Sequence, residues 1–261
     1  MYNFDVVKPS RVADAVKELS DSTESQPLGG GQTLLPTLKA RLNQPEKLVI
    51  LGGIDEMKGV SASGGTITIG GGTTHATVAA QAGAYPALAA LASHIGDPAV
   101  RNRGTIGGSL ANNDPAACYP AAALGSGATI TTNARDIAAD DYFQGLFETA
   151  LNEGEIITSV SFPVPEKANY QKFVQPASRF ALVGVFVAKY ADGVRVAVTG
   201  ASEEGVHRWT AAEEALSANF SADAVPAAPS ADGMIGDLHG TPEYRAHLIA
   251  VLTKRAVEAA A

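Results

Sequence analysis

The spacing of apolar residues changes several times along the chain, and each change marks an element. After Lys8-Pro9-Ser10, the residues Val12, Ala15, Val16 and Leu19 recur at helical spacing, with Ser10 placed as N-cap of an opening helix. Residues 21–26 are polar loop. Leu28 then leads into Gly29-Gly30-Gly31, and Leu34, Leu35, Leu38 and Leu42 predict a second helix ending near Gln44-Pro45. Residues 47–51 form an apolar run of strand length. Thr66-Ile67-Thr68-Ile69 alternates with period two, as a half-buried strand does, and Gly70-Gly71-Gly72 precedes a helix over 76–82 capped by Thr74. An alanine- and leucine-rich helix follows over 86–95, opened by Pro86. Beyond about Pro165 the texture is that of an antiparallel meander: 170–174, 181–189 and 194–199, with Asp192-Gly193 as a hairpin turn. A helix over 209–216, an alanine- and proline-rich linker over 217–229, and a long helix over 241–261 with Leu248, Val251 and Leu252 as its stripe complete the chain.

Composition narrows what such a chain does. The 261 residues are 46% hydrophobic, enough for one or two domains with a real core. Lys and Arg number 19 against 27 Asp and Glu, a net charge of −8 with no clustered basic run, which argues against nucleic acid as a partner. No signal pattern opens the chain and nowhere do 18 apolar residues run together, so the expectation is a cytoplasmic protein without an integral membrane segment. The one cysteine, Cys118, excludes an internal disulfide and any multi-cysteine metal site built by this chain alone.

Candidate chemistry concentrates at two places. The first is Pro27-Leu28-Gly29-Gly30-Gly31-Gln32-Thr33-Leu34-Leu35-Pro36, where consecutive glycines let backbone N–H groups approach an anion in front of a helix. It lacks the Lys-Ser/Thr of a P-loop and is not G-x-G-x-x-G; a ligand-free glycine turn is the alternative. The second runs from Asp97 to Pro115 and combines Arg101 and Arg103, Thr105-Ile106-Gly107-Gly108-Ser109, and Asn112-Asn113-Asp114. Asn113 or Asp114 capping a helix begun by Pro115 accounts for part of it, but not for the glycine pair. His75 reads as a polar residue in a helix's first turn, with no second ligand at metal spacing.

These two motifs, in this order and spacing, resemble the FAD-binding medium subunits of molybdenum hydroxylases, the group containing aerobic carbon monoxide dehydrogenase and the flavin part of xanthine dehydrogenase. Gly154-Glu155-Ile156-Ile157 and the segment from Pro176 to Val185 extend the resemblance over nearly the whole chain. It implies an α+β fold: a two-lobed FAD-binding domain of the vanillyl-alcohol-oxidase/PCMH type over 1–165, with lobes of about 1–58 and 59–165, then a domain over 166–261 with a three-stranded antiparallel sheet and helices.

Carried over, the resemblance puts Leu28, Gly29, Gly30, Gly31, Gln32, Thr33 and Leu34 in the first loop around the FAD diphosphate, and Thr105, Gly107, Gly108 and Ser109 in the second. Asn113 and Asp114 fit a ribityl or ribose contact, Thr73 and Thr74 form a further cofactor-side segment, and Ile157 packs against the flavin. Two positions depart from the common pattern: Cys118 stands where most relatives carry aspartate, and Gln175 where some xanthine-oxidising relatives carry a basic residue. Valine at Gly30 or at Gly108 is expected to abolish binding alike, leaving the chain folded.

The implied function is that of an electron-transfer oxidoreductase subunit, with no catalytic residue and no metal of its own. It takes electrons from iron-sulfur clusters of a partner and passes them to an external acceptor. FAD is expected to bind non-covalently, because neither glycine loop offers a histidine or cysteine well placed for a flavin linkage; His75 and Cys118 are the only nearby candidates. The implied partners are a small subunit with [2Fe-2S] clusters and a large subunit with the molybdenum cofactor, in a dimer of heterotrimers. A cofactor-free scaffold derived from such a flavoprotein and a self-contained FAD oxidase are the alternatives.

Overall fold

The computed structural model of the chain describes residues 1–260. Its first layer is a small parallel sheet. β1 (Asp5–Val7), α1 (Val12–Ser20), β2 (Ser25–Leu28), α2 (Leu34–Lys39) and β3 (Lys47–Ile50) follow in sequence, with the strands ordered β1-β3-β2. α1 buries Ala15 and Leu19 in a cluster with Val49, Leu51, Ile54 and Met57, the face its apolar spacing predicts. Ser10 does not cap it. Val12 N–H donates to the Glu56 carboxylate instead, so the first turn is closed by a residue from the other end of the lobe. α2 stops at Lys39, short of Leu42, which is 79% exposed; Arg41 turns the chain in the left-handed region (φ 59°).

The second layer is antiparallel. Its elements are β4 (Val60–Ser63), β5 (Thr66–Gly70), α3 (His75–Gln81), α4 (Pro86–Ser93), α5 (Pro98–Arg101), α6 (Ile106–Asn112), α7 (Cys118–Ser126), β6 (Thr129–Thr132), β7 (Asp136–Ala138), α8 (Ala139–Tyr142), β8 (Phe143–Gly145), β9 (Glu148–Thr149) and β10 (Ile157–Pro163). Five strands are ordered β4-β5-β10-β6-β7. The alternation of β5 is explained by its two faces. Ile67 and Ile69 join Ile130, Val160 and Phe162 in the core, while the Thr68 hydroxyl bonds the Ser161 hydroxyl at 2.9 Å on the other side. α7 is buried over its whole length, and its alanines let it lie between this core and the last sheet.

The third layer comprises β11 (Lys167–Val174), β12 (Ala181–Tyr190), β13 (Gly193–Ser202), β14 (Gly205–Arg208), α9 (Thr210–Ala218) and α10 (Pro242–Ala259). The expected meander is present, and β14 adds a fourth short strand at its edge, in the order β11-β12-β13-β14. Residues 181–188 are all buried, because β12 has α7 on one face and α10 on the other. Val251 is only partly buried. Leu248, Ile249, Leu252 and Ala256 make the stripe of α10, and Ala261, the last expected helical residue, lies outside the described residues. Arg195 bolts this layer to the second, donating to Leu124 O at the end of α7 and to both Asp140 oxygens at 2.8 Å.

Candidate functional site

Three glycine segments far apart in sequence meet here. β2 ends at Leu28 and delivers Gly29, Gly30 and Gly31; β5 ends at Gly70 and delivers Gly71 and Gly72; α5 and α6 are joined by Gly104 and Thr105. The backbones touch where no side chain fits. A Cβ on Gly30 would overlap the Arg103 carbonyl and lie 2.5 Å from Gly104 Cα, and one on Gly107 would lie 2.7 Å from Gly71 O. Gly107 N–H donates to Gly71 O (2.9 Å), Ile106 N–H to Thr73 O (3.1 Å) and His75 N–H to Gly104 O (2.9 Å), while Gly71 N–H donates to Thr158 O (2.8 Å). Thr105 caps α6 by accepting from Gly108 N–H at 3.1 Å.

The first loop is wired differently. Among the described residues, no protein acceptor takes the backbone N–H groups from Gly29 to Leu34. Gly31 sits at φ +75°, and α2 then turns away. Gly29 and Gly108 lie across from each other, their would-be Cβ positions 3.0 and 2.9 Å from the Thr105 hydroxyl, with little else nearby. The result is a loop of neutral donors without protein acceptors, its first glycine standing against the Thr105 hydroxyl and Gly108. Such a cradle suits a diphosphate, which needs several directed N–H donors and close backbone approach.

The other expected contacts divide between the cradle and its supports. Thr73 is 2% exposed; its hydroxyl accepts from Gly59 N–H (2.9 Å) and donates to Gly59 O (3.1 Å), so it fastens the turn before β4. Thr74 caps α3. Asn113 caps α6 in the left-handed region (φ 43°), and its Nδ2 donates to Gly145 O and Glu148 O, holding the β8–β9 turn. Neither Asn113 nor Asp114 begins a helix at Pro115; α7 starts at Cys118. Asp114 accepts from Ala116 N–H at 2.8 Å, and burial pushes its carboxyl above the ordinary range. Cys118 and Ile157 are buried in the core. Gln175 lies on the β11–β12 turn, its carbonyl accepting from Arg179 N–H at 2.8 Å. Ser109 is half-buried beside Gly108.

His75 opens α3 as its first-turn reading expects, but the supporting roles of His75, Glu155 and Thr199 could not be read from the sequence. His75 is 4% exposed, with its ring behind Gly104 and 5.3 Å from the Tyr119 ring; burial, then the nearby Arg101 charge, hold it down to about 4, so it is neutral. Burial would raise Glu155, but Arg135, Asn152 N–H and the Thr132 hydroxyl together bring its carboxyl to about 2. Thr199 of β13 reaches Pro115 O and Ala117 O. Arg101 is structural: its Nη1 donates to Ile95 O and Gly96 O.

Comparison with known proteins agrees with this architecture. Residues 2–165 match the family described as FAD binding domain in molybdopterin dehydrogenase. The chain is 36% identical to the nicotine 6-hydroxylase medium subunit of Paenarthrobacter nicotinovorans, covering 95% of this chain and 94% of that one. It is 34% identical to the carbon monoxide dehydrogenase medium chain of Afipia carboxidovorans, over 99% and 96%. The solved carbon monoxide dehydrogenase of Hydrogenophaga pseudoflava that lacks the Mo-pyranopterin moiety superposes with a TM-score of 0.88 at 31% identity, over 99% and 97%.

Proposed function

This chain belongs to the family of FAD-binding domains in molybdopterin dehydrogenases, and we propose that it is the flavin-carrying medium subunit of a multisubunit molybdenum hydroxylase. The observation that carries the cofactor reading is the run of unaccepted N–H groups from Gly29 to Leu34, opened by a glycine that stands against Thr105 and Gly108. Leu28 to Leu34 would hold the FAD diphosphate from one side, with Thr105, Gly107, Gly108 and Ser109 closing the other. Asp114 and the segment down to Cys118 would flank the sugar, with Asn113 holding that segment in place. Ile157 and Gln175 would border the flavin. FAD supplies the redox chemistry; the chain binds and orients it. His75 and Cys118 are both buried, which favours non-covalent binding.

We read residues 1–165 as the cofactor domain and 166–261 as the second domain. The relatives named medium subunit or medium chain support a place beside other subunits. The chain has one cysteine where an iron-sulfur cluster takes four, so we assign the [2Fe-2S] clusters to a small partner and the molybdenum cofactor to a large one. No helix of the described chain is long and apolar enough to cross a membrane.

Purified full-length chain should be yellow, and acid precipitation should release the flavin to the supernatant. A colourless chain that takes up no added FAD would favour a cofactor-free scaffold, and substrate turnover by the chain alone would favour a self-contained oxidase. Co-purification of neighbouring gene products on expression together tests the partners.

A further inference from the structure

The segment joining Asp114 to Cys118 has little structure of its own: Pro115 has no N–H, and the residues lie between a left-handed helix end and the start of α7. Its carbonyls are held from outside. Pro115 O accepts from Gly200 N–H at 2.7 Å, Ala116 O from Ala181 N–H at 3.4 Å, and the Thr199 hydroxyl lies 2.6 Å from Pro115 O and 2.8 Å from Ala117 O. Thr199 is completely buried, and one proton serves the two carbonyls. The strand is shaped for this contact. β13 loses its regular register between Val198 and Ser202, and Gly200 sits at φ +81°, where a Cβ would meet Leu182 O at 2.6 Å. Behind it the buried Arg245 guanidinium of α10 donates to Gly200 O and to Leu182 O (2.7 Å) and pairs with Asp237 (2.8 Å).

We infer that Thr199, backed by Arg245, is a positioning residue of the cofactor site: the last sheet, 82 and 84 residues away in sequence, sets the path of residues 114–118 and so the affinity for FAD. This rests on the reading of that segment as part of the FAD site. A buried hydroxyl that served packing alone would be fully replaced by a methyl group. Here its removal takes a donor from Ala117 O and leaves Pro115 O with only Gly200 N–H.

The test is FAD titration of flavin-stripped full-length chain, followed by quenching of flavin fluorescence, for wild type, Thr199→Val, Thr199→Ser and Val196→Ala. Val196, also fully buried in β13, belongs to the opposite core cluster, so its truncation is a control for general loosening. Thr199→Val should raise the Kd about tenfold, Thr199→Ser should stay within about twofold of wild type, and Val196→Ala should lower the apo-chain Tm with the Kd unchanged. Thr199→Val with an unchanged Kd, whatever its Tm, or Val196→Ala with an equal rise in Kd, would overturn the inference. A wild-type chain that titrates no FAD would refute the cofactor reading itself, a distinguishable failure.

Discussion

Gly29-Gly30-Gly31 and Gly104-Thr105-Ile106-Gly107-Gly108 are alike in composition and opposite in wiring. The N–H groups of the first loop reach no protein acceptor among the described residues, whereas those of Ile106, Gly107, Gly108 and Ser109 are all taken within the chain, by Thr73 O, Gly71 O, the Thr105 hydroxyl and Thr105 O. Glycine serves two ends here. In the first loop it leaves backbone N–H groups open; in the second it lets three backbones cross closer than any Cβ allows. The second loop is therefore a joint as well as one wall of the candidate site, and the first is the wall whose donors are left free.

The largest effect should come from the glycine that belongs to both. Gly30 lies in the donor loop but a Cβ there would meet the Arg103 carbonyl, so Gly30→Val should lose FAD and also destabilise the apo chain by about 3 kcal/mol, the upper end of overpacking, lowering its Tm. Gly108 faces only the Thr105 hydroxyl at 2.9 Å, so Gly108→Val should lose FAD with the apo Tm nearly kept. The two positions thus part, where the sequence suggested they would behave alike. Apo Tm by circular dichroism and flavin content by visible absorbance measure this. Equal loss of Tm in both variants would show that the joint extends to the ligand surface.

Acid should act on the joint. His75 lies behind Gly104, and Glu155 braces the turn into β10, whose Thr158 O holds Gly71. The His75 imidazole is lowered from about 6.5 to about 4, so the folded state excludes a proton that the unfolded chain binds. Its stabilising share is intact above pH about 6.5 and is lost as pH falls toward about 4. Glu155 is lowered from about 4.5 to about 2; its share is present above about 4.5 and lost as pH falls to about 2. Each amounts to about 3 kcal/mol at most. Urea unfolding across pH should show both steps, His75→Phe removing the upper and Glu155→Gln the lower. A flat profile between pH 6.5 and 4 would show that the imidazole behind Gly104 is free to charge.

What could be read from the chain follows from how local the cause is. β5 was legible because its two faces differ, and the helix capped by Thr74 because the cap lies three residues from Thr77 N–H. β1 was not, since Asp5-Val6-Val7 is too short to alternate and is held by pairing with β3. Leu42 keeps helical spacing yet lies outside α2, because nothing packs over it. The glycine clusters marked the segments that meet at the candidate site. The division of labour between them was hidden, because Thr73 on Gly59, Asn113 on Gly145 and Glu148, and Gly107 on Gly71 are all decided by partners distant in sequence.

The smallest effect sharpens the comparison by asking whether charge takes part in the joint. Arg101 donates from Nη1 to Ile95 O and Gly96 O, holding a turn in which Gly96 is at φ +51°, while Arg103 is exposed and gives the first loop only its backbone carbonyl. Arg101→Ala should cost about 1–2 kcal/mol of stability with little dependence on salt, because hydrogen bonds to carbonyls are lost rather than a long-range field. Arg103→Ala should stay within about 0.5 kcal/mol. Removing Arg101 also removes a charge that lowers His75, so the upper acid step should move to higher pH in that variant. Were Arg101→Ala instead to lower FAD affinity in a strongly salt-dependent way, its guanidinium would be acting on the diphosphate, and charge would have to be counted among what binds it.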